Sequence, residues 1–323
     1  PVANPLSSYA PPEQQQTQPL KPVAVIYFTG PGSHSADYAD AVRTMIMESG
    51  REFKLSITEY ALPDEKDLTA TIDRIADEET GMIVIIEPHQ LDALIKIPSL
   101  YPDIYFSIIG AHEPMYIINV NSILFKEQEG TFISGALAAL QSSSGVISFL
   151  SKEDVPSTRN LAYAYYQGAK FINPNIQVVQ QLGTRHMFGN NTSSPAMQRQ
   201  LTHGKLPDIV FVQDDEMLEA TIRQAKEQKQ LVIAPSPHAL ANNPGTVLTG
   251  LLKHYDLALY AALRSYAMRT WAPSTQNIGL GNGYIDYVVD YRNRALFSKD
   301  QIERIERTKD LVSQGIVTIS PLQ

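Results

Sequence analysis

Short, nearly continuous apolar runs alternate along this chain with segments whose apolar positions recur every three or four residues. Val23–Thr29 is the first such run; closed by Gly30-Pro31-Gly32, it reads as a strand buried on both faces. The same rhythm predicts a helix over Asp37–Ser49, a strand over Phe53–Tyr60, a helix over Asp67–Ala76 and a strand over Met82–Ile86. A helix over Asp92–Leu100, strands over Ile104–Gly110 and Tyr116–Val120, and a small-residue helix over Phe132–Leu140 complete this set. The last helix is ended by Ser142-Ser143-Ser144-Gly145.

A second alternating set follows. Val146–Leu150 is a predicted strand, and Pro156 opens a helix over Ser157–Phe171, a position where proline fits the first turn. Strands are expected at Ile176–Leu182, Ile209–Val212, Leu231–Ala234, Thr246–Leu248, Tyr284–Val289 and Ile316–Ile319. Helices are expected near Ser194–Gln200 and over Glu216–Glu227, Asp256–Arg269 and Lys299–Val312. Two such sets predict an α/β protein of two doubly wound lobes, with ligands held where the carboxyl ends of the strands face each other. Residues 22–143 plus about 250–275 are assigned to the first lobe, and 144–249 plus about 276–323 to the second. Residues 1–21, rich in Pro, Gln and Ser, bury too little surface to offset ordering entropy and are expected to form a flexible arm. A lipid-tethering stalk is the functional reading of that arm, and a processed leader is expected upstream of Pro1.

Composition narrows the function classes. With 323 residues, 43% of them hydrophobic, the chain can bury a large core. Its net charge of -8 argues against a nucleic-acid surface, which needs a basic stripe. No apolar run approaches the roughly 18–20 residues that span a bilayer, so any membrane link is expected through an N-terminal lipid alone. Cysteine is absent, which removes disulfides, thiolate nucleophiles and cysteine-ligated zinc, and suits an oxidising compartment. The seven histidines are scattered without helical ligand spacing, and neither a G-x-S-x-G elbow nor a P-loop occurs. No cofactor, no metal and no catalysis are therefore expected. Asp214-Asp215-Glu216, just past a predicted strand, reads either as helix N-terminal charge or as a cleft-facing acceptor.

Several longer stretches resemble the basic membrane protein family, the purine-nucleoside-receptor-like substrate-binding lipoproteins of ABC transporters. They are F-K-E-Q-E-G-T-F-I-S-G-A-L-A-A-L (125–140), G-V-I-S-F-L-S-K-E-D-V-P (145–156) and Y-Y-Q-G-A-K-F-I-N-P-N-I-Q-V-V (165–179). T-G-L-L-K-H-Y-D-L-A-L-Y (249–260), G-L-G-N-G-Y-I (279–285) and I-E-R-I-E-R-T-K-D-L-V-S-Q-G-I-V (302–317) follow in matching order. The resemblance implies a type I periplasmic-binding-protein fold, two lobes joined by a three-stranded hinge, lipid-anchored in the periplasm or at the cell surface. It also implies a small-molecule ligand, commonly a purine nucleoside, and ABC permease subunits as partners of a monomer.

At the ligand positions the sequence departs from the family. The Asp-x-Ser-Phe-Asn motif corresponds to Ser33-His34-Ser35-Ala36-Asp37, so the stacking Phe is Ala36, with Tyr38 one position away. Thr184-Arg185 stands where a second stacking ring is usual, Asp215-Glu216 replaces a glycine pair, and Ser236 replaces the ribose-binding Asp. Lys253 and Asp154 are retained. Stacking contributes on the order of 1–3 kcal/mol per base, and a buried carboxylate bond roughly 1–3 kcal/mol. Both losses together predict much weaker nucleoside binding unless other groups compensate. The expected ligand set is Ser33, Ser35, Asp37 and Tyr38 from the first lobe, Asp154, Arg185, Asp215 and Ser236 from the second, and Lys253 near the hinge. The expected ligand is nucleoside-like or another small polar heterocycle; the alternative is a degenerate binding protein used for envelope protein interaction or regulation.

Overall fold

A computed structural model describes residues 19–30, 35–76, 78–88, 91–183 and 204–322. Of residues 35–37 and 91–93 only the backbone is described. The most apolar runs become the innermost strands. β1 (Val23–Phe28) and β3 (Met82–Ile86) are buried at every position. β2 (Ile57–Leu62), β4 (Tyr105–Ile109), β5 (Val120–Phe125) and β11 (Ser274–Ile278) join them in a parallel sheet of order β11-β5-β4-β3-β1-β2. α1 (Ser35–Phe53), α2 (Leu68–Ala76), α3 (Leu91–Leu100) and α7 (Tyr255–Ala267) lie among its connections. The buried side of α7, from Ala258 to Tyr266, shares one apolar cluster with Val25, Tyr27 and Val84, while Ile72 and Leu94 share another with Ile26 and Ile85.

The second sheet repeats the plan. β6 (Val146–Ser151), β7 (Gln177–Leu182), β8 (Ile209–Val212), β9 (Leu231–Ala234), β10 (Val247–Lys253) and β12 (Ile285–Tyr287) take the order β12-β10-β9-β8-β6-β7. Only β12 runs antiparallel, against β10. α4 (Glu127–Gln141), α5 (Pro156–Ile172), α6 (Asp215–Gln228) and α8 (Lys299–Ser313) belong to this lobe. α8 starts with a full capping box, Ser298 Oγ accepting from Gln301 N–H and Gln301 Oε1 from Ser298 N–H. Both sheets thus reverse their winding direction, between β1 and β3 and between β6 and β8, the points at which open α/β sheets bind ligands.

Several boundaries differ from expectation. α4 packs in the second lobe, not the first: a Cβ on Gly135 would come within 2.0 Å of the Tyr165 carbonyl oxygen, and one on Gly168 within 1.9 Å of that of Phe132. This backbone-to-backbone approach of α4 and α5 moves the lobe boundary from 143 back to Lys126. β11, expected partly in the second lobe, pairs with β5 in the first sheet. β5 begins at Val120, where the expected strand ended; Tyr116 and Ile118 are exposed. Ile316–Ile319 forms no strand, and the chain beyond α8 lies along α5, where Ser320 exchanges hydrogen bonds of 2.9 and 3.0 Å with Gln167. Leu20 packs on the first core and Lys21 O accepts from the Tyr266 hydroxyl, so the packed body starts before residue 22. Residues 1–18 of the expected arm and the expected helix near 194–200 lie outside the described residues.

Candidate functional site: an interlobe cleft at the hinge

The chain crosses between lobes at Lys126, His254 and Gly279, and these crossings lie side by side. Lys126 N–H donates to Ile278 O at 2.8 Å, His254 N–H to Tyr284 O at 2.9 Å and Tyr284 N–H to Gly279 O at 3.0 Å. Glu129, one turn into α4, accepts Leu280 N–H at 2.9 Å and pairs with Lys126 at 3.1 Å. A Cβ on Gly279 would sit 2.3 Å from the Glu129 carboxylate, so a larger residue here would push that side-chain end away from the crossing.

Above the hinge two adjoining cavities of about 720 and 560 Å³ form one cleft, sharing His112, Glu127, Glu153, Gln213 and Asp214. Each cavity by itself has the size of a small-solute pocket, about 300–1,000 Å³. The lining comes from carboxyl ends of strands in both lobes: Glu87 after β3, Gly110–His112 after β4, Lys152 and Glu153 after β6, and Gln213–Glu216 after β8. At the switch point of the second lobe, Asp214 Oδ2 accepts Lys152 N–H at 2.8 Å, tying the two strand ends together. Lys152 Nζ reaches Glu216 at 2.9 Å, and this hydrogen bond raises the lysine's pKa.

Lys253, at the end of β10, forms the centre of the cleft floor. Its Nζ lies 2.9 Å from Glu127 Oε1 and 3.8 Å from Glu87 Oε1. Tyr255 donates its hydroxyl to the same Glu87 oxygen at 2.6 Å. Burial opposes the Lys253 charge, but Glu127, Glu87 and Asp215 outweigh it, and its pKa is raised above the ordinary lysine value. Burial, followed by Glu87, pushes the Tyr255 hydroxyl well above its usual range. Glu87 holds its place with a left-handed backbone (φ 56°), an uncommon conformation for a residue with a side chain, and donates its N–H to Ile109 O at 2.7 Å.

A third cavity of about 310 Å³ adjoins the floor and shares Pro235, Leu251 and Lys253 with the inner one. Tyr38 of α1 lines it, its ring edge-on to Tyr27 (6.2 Å) and Tyr255 (4.9 Å). Burial, then Glu87, pushes the Tyr38 hydroxyl well above its usual pKa.

The structure therefore brings Asp215 and Lys253 into the inner cavity, and Tyr38, Ser236 and Lys253 around the side cavity. Ser236 is buried with its Oγ 2.5 Å from His238 Nδ1. Asp154 is not among the residues lining these cavities: it is exposed and bound to Arg159 Nε at 2.6 Å, while its neighbour Glu153 lines the two that form the cleft. Ser35 and Asp37 lie in the first turn of α1, and Ser33 and Arg185 fall outside the described residues. Glu87, His112, Glu127, Lys152 and Gln213 were not anticipated, although each stands within three residues of a strand end. Among the described residues no group of His, Asp and Glu is placed to hold a metal, and no helix is long and apolar enough to cross a membrane.

Comparison with known proteins agrees with this architecture. The chain is 23% identical to an uncharacterized lipoprotein of Pyrococcus abyssi, over 93% of this chain and 78% of that protein. It is 22% identical to a purine-binding protein of Brucella abortus, over 80% of this chain and 72% of that one. The solute-binding protein of an ABC transporter system from Aeropyrum pernix K1 shares the fold, with a TM-score of 0.68 at 16% identity and 94% coverage of each chain. Residues 33–319 match the family described as ABC transporter substrate-binding protein, PnrA-like, and the chain belongs to that family.

Proposed function

We propose that this chain is the extracytoplasmic receptor of an ABC importer, closing its two lobes over a small polar solute and presenting it to a membrane permease. The observation that carries this reading is the cleft itself. Its walls are strand ends from both lobes, and the two lobes are joined by three adjacent crossings. Closure about such a hinge excludes water, so a few hydrogen bonds at the strand ends give tight yet reversible capture. A nucleoside-like or other polar heterocycle fits the cavity size, and the purine-binding relative supports that class. The lipoprotein name of a second relative supports attachment to the outer face of a membrane.

The test is a thermal-shift panel of nucleosides, nucleobases and flavins. A solute at 100 times its Kd adds about 2.7 kcal/mol to the folded state, which corresponds to about 5–10 °C in a domain of this size class. A panel without any stabilisation at millimolar concentrations would leave a degenerate cleft, used in protein interaction, as the better reading.

A further inference from the structure

Resting on the reading of this cleft as the solute site, we infer that the chain beyond α8 belongs to that site: residues 319–321 wall the outer cavity and limit how long a solute the cleft admits. The route of this tail carries the inference. After α8 the chain runs back along α5, with Val317 and Ile319 packed on the second core. Gln167 holds Ser320 twice, accepting its N–H at 3.0 Å and donating to its carbonyl at 2.9 Å, and Asn160 Oδ1 accepts Leu322 N–H at 3.0 Å. Held in this way, Ile319, Ser320 and Pro321 line the outer cavity of about 720 Å³. Asn277 of β11 and Lys126 line the same cavity, so the tail, fixed to the second lobe, shares it with the first lobe's edge strand beside the crossings.

The wall has a chemical character as well as a position. Beside Ser320, the cavity is lined by Ser157, Thr158 and Asn160 of α5 and by Asn277 of β11, with the apolar Leu161, Ile319 and Pro321 among them. Hydroxyl and amide side chains both donate and accept hydrogen bonds. A solute hydroxyl also does both, and it enters a closing cleft without the desolvation cost that a charge carries. The portion of the solute that rests against the tail is therefore uncharged and hydroxylated, and the inner cavity takes the rest. An irregular segment on a rigid scaffold varies without rebuilding either sheet, which is how such segments come to set specificity.

Adenine, adenosine and riboflavin present a ring alone, a ring with a hydroxylated sugar and a ring system with a longer hydroxylated chain. Calorimetric titration of the full chain is expected to show adenosine or riboflavin binding at least about 10-fold more tightly than adenine, the worth of one or two hydrogen bonds. Ser320→Trp, which sets an indole on the wall, should weaken that hydroxylated probe about 10-fold or more and leave adenine unchanged. Ser320 is exposed, so the unliganded melting temperature should stay within about 2 °C. The chain has no cysteine, so Ser320→Cys places a single thiol on the wall as a second readout. Its reaction with a maleimide should slow several-fold with the bound probe, at a midpoint matching the calorimetric Kd. Adenine binding as tightly as the other two, an equal loss or no loss for all probes in Ser320→Trp, or an unchanged thiol rate at saturating probe overturns the inference and leaves the solute-receptor reading intact. Silence from every probe counts against the receptor reading itself, and the inference falls with it.

Discussion

Replacing Lys253 with Met tests the electrostatic account of the cleft floor. The side chain is 11% exposed and lies between Glu127 and Glu87, themselves 26% and 6% exposed. Methionine fills similar volume but removes the ammonium group from between the carboxylates of Glu127 and Glu87. Breaking a buried pair in this way costs about 3–5 kcal/mol, and the partial exposure of Glu127 favours the lower end. At about 2–4 °C per kcal/mol the melting temperature should fall by about 6–12 °C at neutral pH. The pH dependence gives a second, sharper readout. The Lys253 pKa is raised on folding, so its stabilisation is complete below the unfolded lysine value and is lost as pH rises through the folded one. The wild type should therefore lose stability above about pH 10 by a margin the Met variant does not show. Adding Glu127→Gln to the variant should recover much of the loss at neutral pH. A melting temperature within 2 °C of wild type, with no pH dependence of the difference, would refute the reasoning; that threshold is below the shift expected from about 1 kcal/mol.

Asp154→Ala should leave solute-induced stabilisation unchanged in the thermal-shift panel, since Asp154 is exposed, is bound to Arg159 and lines neither cleft cavity. Gly168→Ala should destabilise the second lobe by about 1–3 kcal/mol or more, because the added methyl meets the Phe132 carbonyl. Trp271, the single tryptophan, lies in the first lobe with its Nε1–H on Ser107 Oγ at 3.1 Å, so its fluorescence transition should move less than the circular-dichroism transition in that variant. Ser298→Ala removes the α8 capping box and should cost about 1 kcal/mol in urea denaturation.

The parts of the fold legible in the sequence are those stabilised by their own burial. β1 and β3 are apolar at nearly every position, and the amphipathic α8 carries its cap in the residues Ser298 to Gln301. β11 escaped notice because Ser-Thr-Gln-Asn has no strand pattern; it is an edge strand, held by pairing with β5 and by Ser274 Oγ and Gln276 Nε2, which each donate to Asn121 Oδ1 at 3.3 Å. Ile316–Ile319 has the right pattern but pairs with no strand among the described residues, and Val317 and Ile319 instead pack on the second core from an irregular tail. The lobe of α4 depends on Gly135 and Gly168 meeting across two helices, a long-range contact that composition alone does not encode. At the site, Lys253 and Asp215 were legible from the resemblance and from strand ends. Glu87 was not, since its role rests on a left-handed turn and on partners at positions 253 and 255.

The central claim is that two lobes close about one hinge over a solute. Small-angle scattering of the full chain, with and without the solute that most raises its melting temperature, tests it most directly. The account predicts a saturable fall in the radius of gyration at constant forward scattering, with a midpoint matching the calorimetric Kd. An unchanged radius of gyration at saturating solute would contradict it.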